Sequence, residues 1–306
     1  MLTIRRILFP TDFSEGAARA FPQAAILAER HDAELHVVNV TAPHSESETT
    51  LPVSRDTLTE WLDPAAQKNA PDLSALSIVQ NQVDGDAAPE GITAYVEEQE
   101  IDLVVMGTHG RRGVQRMLLG SVTEEVVRTA ACPVLTVRSD TAANAQQAVR
   151  RILVPVDFSD ASQIAVRHAA ELADTYDAQI DLLHVVEQVA YPSAYGVDPG
   201  YLSPQEILPR VEATLGDVAR EEIGFDRVQV SAMVGYAPLT ILDYVDENDV
   251  DLVVIATHGR TGLDRMLLGS VAERVIRRSS APVFVVKPEQ KSLLSPSRPD
   301  ETVDET

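Results

Sequence analysis

The chain has 306 residues, 44% of them hydrophobic, and a formal net charge of −22 from 47 acidic against 25 basic side chains. That length suits two domains of roughly 150 residues, each able to bury its own core, and the negative charge argues against bulk attraction to nucleic acid. No run of 18 apolar residues occurs and residues 1–10 (MLTIRRILFP) lack the apolar centre of a signal peptide, so a cytoplasmic protein is expected, with no membrane partner.

In chain order, residues 7–10 form a short apolar run ending at Pro10, as suits a strand buried on both faces. Thr11 and Asp12 follow it, and Ser14 is the expected N-cap of one helix running through Ala17, Phe21, Ala24 and Leu27. A strand at 34–40, a helical centre at 57–68, a strand at 76–83 and a helix from Pro89 come next. A strand at 102–106, a glycine-rich loop, a helix and a strand at 134–137 complete the first series. Residues 139–147 are small and polar and read as a linker. The order then returns: a strand at 152–155, Pro155-Val156-Asp157, a helix capped by Ser159, a strand at 179–186, a helical centre at 204–222 and a strand at 228–234. A helix from Pro238, a strand at 251–255, a second glycine loop, a helix and a strand at 283–286 close it. After Pro288 the chain is acidic and rich in Pro and Ser. The expected division is a domain at 1–140, its repeat at 148–288 and a disordered acidic tail at 289–306.

The repetition is direct. Residues 102–122 (DLVVMGTHGRRGVQRMLLGSV) recur as 251–271 (DLVVIATHGRTGLDRMLLGSV) with 16 of 21 identical, and 7–14 pair with 152–159. The spacing between copies runs from 145 at the start to 148 at His36 and His184 and 149 at His109 and His258. Alternating strands and helices with uninterrupted apolar strands predict a parallel sheet with helices on both faces, whose ligands sit beyond the carboxyl ends of the strands. An exposed apolar edge strand is a liability that a second copy can cover. The two last strands are therefore expected to pair or abut across a pseudo-twofold axis, a pseudo-dimer within one chain that could further form a homodimer.

The glycine loop carries the chemistry. Gly107 is followed after two residues by Gly110, and after nine more by Gly120 and Ser121, with Val122 leading into a helix. Glycines let backbone approach a ligand, and the free amides of a helix start favour an anion. Ser121 to Glu124 and Ser270 to Glu273 also fit a capping box, which needs no ligand. Against that purely structural reading stand the extra glycines and a cluster of Arg111, Arg112 and Arg116, matched in part by Arg260 and Arg265. Neither loop is a Walker P-loop, since no Lys precedes the terminal Ser, and Pro-Thr-Asp-Phe-Ser replaces the glycine turn of dinucleotide-binding domains.

This combination of Asp after the first strand with Gly, two residues, Gly, nine residues, Gly-Ser resembles the ATP-binding pattern of the universal stress protein family, as a tandem two-domain member. The resemblance spans both copies. It implies a five-stranded parallel sheet of order 3-2-1-4-5 in each copy, adenine near Asp12 and Val40, ribose near Gly107, and phosphates on Gly110, Gly120, Ser121 and Val122. Pro10, Thr11, His109, Arg111 and Gly113 border the same site. In the second copy it implies Pro155, Val156, Asp157, Val186, Ala256, His258, Gly259, Arg260, Gly262, Gly269, Ser270 and Val271. Ala256 departs from the pattern where the family has its first glycine, which predicts a weaker second site. The implied cofactors are ATP, or another adenine nucleotide, with Mg²⁺ on its phosphates.

His109 and His258 lack partners at ligand spacing, so no protein metal site is expected. His36 and His184 lie mid-strand and read as hydrogen-bonded core residues, Asp12 and Asp157 as ligand contacts, and Asp102 and Asp251 as structural. Cys132 reads as a small buried filler. With three lysines against 22 arginines, the acidity fits either a high-salt cytoplasm or simply an acidic soluble protein. No nucleophile, general base or arginine finger is evident, so the expected function is a regulatory nucleotide sensor in a stress response without efficient catalysis. A slow ATPase and a nucleotide-independent interaction module remain the alternatives.

Overall fold

The computed structural model describes residues 2–41, 51–62, 71–108, 119–138, 149–187, 204–224, 226–257, 268–288 and 290–294. In the N-terminal half the strands are β1 (Arg6–Pro10), β2 (Glu34–Thr41), β3 (Ile78–Asp84), β4 (Leu103–Gly107) and β5 (Val134–Val137), with helices α1 (Glu15–Ala18), α2 (Phe21–His31), α3 (Arg55–Glu60), α4 (Ala88–Glu98) and α5 (Ser121–Thr129). The C-terminal half repeats them as β6 (Arg151–Pro155), β7 (Gln179–Val186), β8 (Val228–Val234), β9 (Leu252–Ala256) and β10 (Val283–Val286), with α6 (Asp160–Tyr176), α7 (Pro204–Glu222), α8 (Ala237–Glu247) and α9 (Ser270–Arg278). The strands join in one ten-stranded sheet of order β3-β2-β1-β4-β5-β10-β9-β6-β7-β8, so each half has the order 3-2-1-4-5.

Within each half every neighbour is parallel, and the halves meet where β5 and β10 run antiparallel with Leu135 opposite Phe284. That pairing removes what would be two apolar edges, since all four residues of each strand are buried. The halves also clasp each other through cations placed at helix carboxyl ends, where the exposed carbonyls carry partial negative charge. Arg138 Nη1 donates to the Arg278 carbonyl at 2.6 Å, and Lys287 Nζ donates to those of Arg128 and Ala130 at 2.8 and 3.0 Å. Burial lowers the Lys287 pKa to about 8. Asp102 and Asp251 tie strand starts together: each Oδ2 accepts two backbone N–H groups, from Arg5 and Arg6 or from Arg150 and Arg151. Cys132 is free and fully buried, and burial pushes its thiol up to about 12.

Three expectations need correction. The first helix is split, because Pro22 lacks an N–H and crowds the carbonyl four residues back, so α1 stops at Ala18 while α6 runs unbroken for 17 residues. The predicted tail does not begin as a free segment: Leu293 is buried, its carbonyl accepts from Thr3 N at 3.0 Å, and Lys291 Nζ reaches Asp102 Oδ1 at 2.6 Å. Residues 295–306 lie outside the described residues.

The third concerns register. Pro10 pairs with Val38 and Pro155 with Leu183, so the offset of 145 persists through the second strand of each half. His184 therefore matches Asn39, not His36. Both donate to the same loop: Asn39 Nδ2 to the Thr11 carbonyl at 2.7 Å, His184 Nδ1 to that of Val156 at 2.6 Å. His36 matches Asp181, and each receives the hydroxyl of a matched tyrosine, Tyr95 at 2.8 Å or Tyr244 at 3.0 Å. The extra residues of the second copy therefore fall after this strand.

His168, on α6, is buried with Nδ1 on the Ile164 carbonyl at 2.8 Å and Nε2 buried without a partner. Protonation would place a charge in the core with no acceptor for Nε2, and burial accordingly lowers its pKa below the ordinary 6.5. The folded state then binds fewer protons than the unfolded state, so stability is complete above about pH 6.5 and falls as pH drops below it, by up to about 1.4 kcal/mol per unit. His168→Gln, which installs the residue of the matched position Gln23, is expected to flatten that acid limb. Urea midpoints between pH 7 and 5 measure it, and identical slopes for the two proteins would refute it.

Candidate functional site

The carboxyl ends of β6, β7 and β9 and the first turns of α8 and α9 enclose a cavity of about 540 Å³ in the C-terminal half. Pro155, Val156, Asp157, Val186, Ala256, Gly269, Ser270 and Val271 all line it, so the eight second-copy candidates among the described residues meet in one place. In the N-terminal half Pro10, Thr11 and Asp12 end and follow β1, Val40 lies near the end of β2, Gly107 ends β4, and Gly120, Ser121 and Val122 start α5. His109, Gly110, Arg111, Gly113, His258, Gly259, Arg260 and Gly262 lie outside the described residues. The register moves one assignment: the counterpart of Val40 is Val185, which lines the cavity beside Val186.

The capping box does not form. Gly120 and Gly269, with extended φ/ψ of −62°/137° and −60°/141°, are the N-caps, and neither helix has a side-chain cap. Ser121 and Ser270 are instead the first helical residues, so their hydroxyls are not spent on capping and the first-turn amides have no intrahelical partner. Gly120 N donates to the Thr108 carbonyl at 2.9 Å and Gly269 N to that of Thr257 at 2.8 Å, which fixes both turns against the fourth strand of their half. The result is a cradle of backbone donors with no Cβ at its rim, a place for an anion.

Asp12 and Asp157 have a structural task. Asp12 Oδ1 accepts from Ser14 N at 3.0 Å, and Asp157 Oδ1 from Ser159 N and Oγ at 3.1 and 2.6 Å. Phe13 and Phe158 between them take left-handed φ of 62° and 63°. These tight turns expose Asp157 to the cavity while Ser14 and Ser159 cap α1 and α6 through Ala17 N and Ser162 N, each at 3.2 Å.

Gly107 is explained by packing. A Cβ built on it would lie 2.5 Å from the Gly16 carbonyl oxygen of α1, so the helix backbone itself demands glycine there. Neither Gly107 nor Ala256 has a positive φ. At the matched position, where Ala161 stands for Gly16, the methyl group of Ala256 is accommodated at the cavity wall. The argument that Ala256 weakens the second site thus loses its premise, since the missing methyl at 107 makes room for a helix.

Of the lining residues outside the sequence reading, two are ionisable. His184, taken for core, borders the cavity, with its ring 4.7 Å from that of Phe158. Glu187 lies just past β7, and its Oε1 accepts from Ala237 N at 2.9 Å, at the start of α8. No repeat flags it, because the matched position is Ala42. Among the described residues no group of three or more His, Cys, Asp or Glu could hold a metal ion. No helix among them is long and apolar enough to cross a membrane.

The family profile described as "Universal stress protein family" matches the chain twice, over residues 3–138 and 148–287. A universal stress protein of Mycolicibacterium smegmatis is 28% identical over 295 residues, covering 92% of this chain and 97% of its own length. One of Methanocaldococcus jannaschii is 32% identical over 150 residues, which is 48% of this chain and 88% of that one. The crystal structure of a universal stress protein from Archaeoglobus fulgidus shares the fold, with a TM-score of 0.62 at 23% identity, over 92% of this chain and 98% of its own.

Proposed function

The chain belongs to the universal stress protein family, and from that premise we propose that it is a regulatory nucleotide-binding protein whose sites take ATP or another adenine nucleotide. The observation that carries this reading is the cavity at the carboxyl ends of β6, β7 and β9, closed on one side by the uncapped, glycine-led start of α9. About 540 Å³ falls within the range of small-molecule sites. The hydroxyl of Ser270 and the backbone amides of Ser270, Val271 and Ala272 would hold phosphates, and any Mg²⁺ would ride on the phosphate oxygens. Asp157 and Glu187 are the carboxylates of the lining, and each is already bonded to a backbone N–H.

Release of ligand from the purified full chain, followed by mass spectrometry, is expected to show an adenine nucleotide, and calorimetry on the stripped protein to show ATP binding in the micromolar range, about −8 kcal/mol. A protein that carries no nucleotide and takes up none would overturn the reading in favour of a nucleotide-independent interaction module.

A further inference from the structure

The cavity has two unlike poles. On the β9 side the wall is Gly269, Ser270, Val271 and Ala272, backbone donors with no carboxylate among them, since Glu273 of the same first turn is off the lining and paired with Arg277; on the β7 side stands Glu187, exposed at the rim, with Asp157 between them after β6. The sheet order β9-β6-β7 puts two strand spacings between the poles, about 10 Å, the reach from phosphates across a ribose to the far edge of a base. Among the described residues no Lys or Arg lies on this lining. An anion therefore belongs at α9, and a hydrogen-bond donor at Glu187.

Only Oε1 of Glu187 takes the Ala237 amide. We propose that Glu187 selects the base in the C-terminal site: its other oxygen, Oε2, accepts from the exocyclic amine of a 6-aminopurine. This rests on the nucleotide reading above and assigns its base specificity. A 6-oxo purine would turn a carbonyl lone pair toward the carboxylate, losing the bond and adding repulsion. The N-terminal half has Ala42 at the matched position, so its base preference has no such carboxylate behind it.

The test uses the full chain with Gly120→Val to silence the N-terminal site, and calorimetric titration with ATP and with inosine triphosphate, its 6-oxo counterpart. ATP is expected to bind about tenfold tighter, the worth of one hydrogen bond of ordinary strength. Glu187→Ala should erase that preference. Glu187→Gln keeps an acceptor for Ala237 N and turns an NH₂ toward the base, so the preference should shift to inosine triphosphate while the urea midpoint stays put. An ATP preference unchanged in both variants overturns the assignment and leaves the nucleotide reading standing. If neither nucleotide binds the chain with Glu187 intact, both readings fall.

Discussion

Gly269→Val is expected to weaken nucleotide binding at the C-terminal cavity at least about 100-fold while leaving the fold in place. The backbone there, φ −60° and ψ 141°, is open to any residue, so glycine is not required for conformation. Its role is spatial: it lines the cavity at the N-cap, and a branched side chain would stand over the amides that follow it. Losing two charge-assisted hydrogen bonds of about 1.5–3 kcal/mol each accounts for the expected factor. The cap itself should cost only about 1 kcal/mol. Calorimetry with ATP in a chain also carrying Gly120→Val isolates the site against the Gly120→Val parent, and a urea titration checks the fold. Retained affinity would show that the phosphates do not rest on α9.

Gly107→Ala is expected to destabilise the protein by about 2–3 kcal/mol, whereas Ala256→Gly at the matched position should cost about 1 kcal/mol or less. The difference follows from what each Cβ meets. At 107 it would lie 2.5 Å from a backbone oxygen of α1, and backbone cannot yield as a flexible side chain can. At 256 a methyl group is already housed. Equilibrium unfolding in urea separates the two, and a Gly107→Ala protein of unchanged stability but lost ATP affinity would return the glycine to a ligand role.

The repeat and the alternation of strands and helices were legible from residues 7–14 and 102–122 and their second copies, because apolar runs, Ser caps and glycine spacing act within a few residues of themselves; the strand order was implied by the family resemblance those motifs carry. The meeting of Pro155, Asp157, Gly269 and Ser270 in one crevice follows from parallel strands ending on one side of the sheet. What lay beyond reach were matters settled by partners distant in sequence. His36 and His184 look equivalent because each is followed by Val, yet the bonds of β1 to β2 and of β6 to β7 set a register three residues away from that likeness. Ser121 reads as a cap, but the bond of Gly120 N to Thr108 moves the helix start back by one residue. Gly107 reads as a ligand glycine until the carbonyl of Gly16 is placed beside it. Glu187 joins the cavity only because α8, fifty residues on, brings Ala237 N to its carboxylate. Leu293 is buried only because it meets Thr3 at the opposite end of the chain. Local pattern determines which elements form; register, close approach and the walls of a site depend on which surfaces meet, and those contacts exist only in the folded sheet.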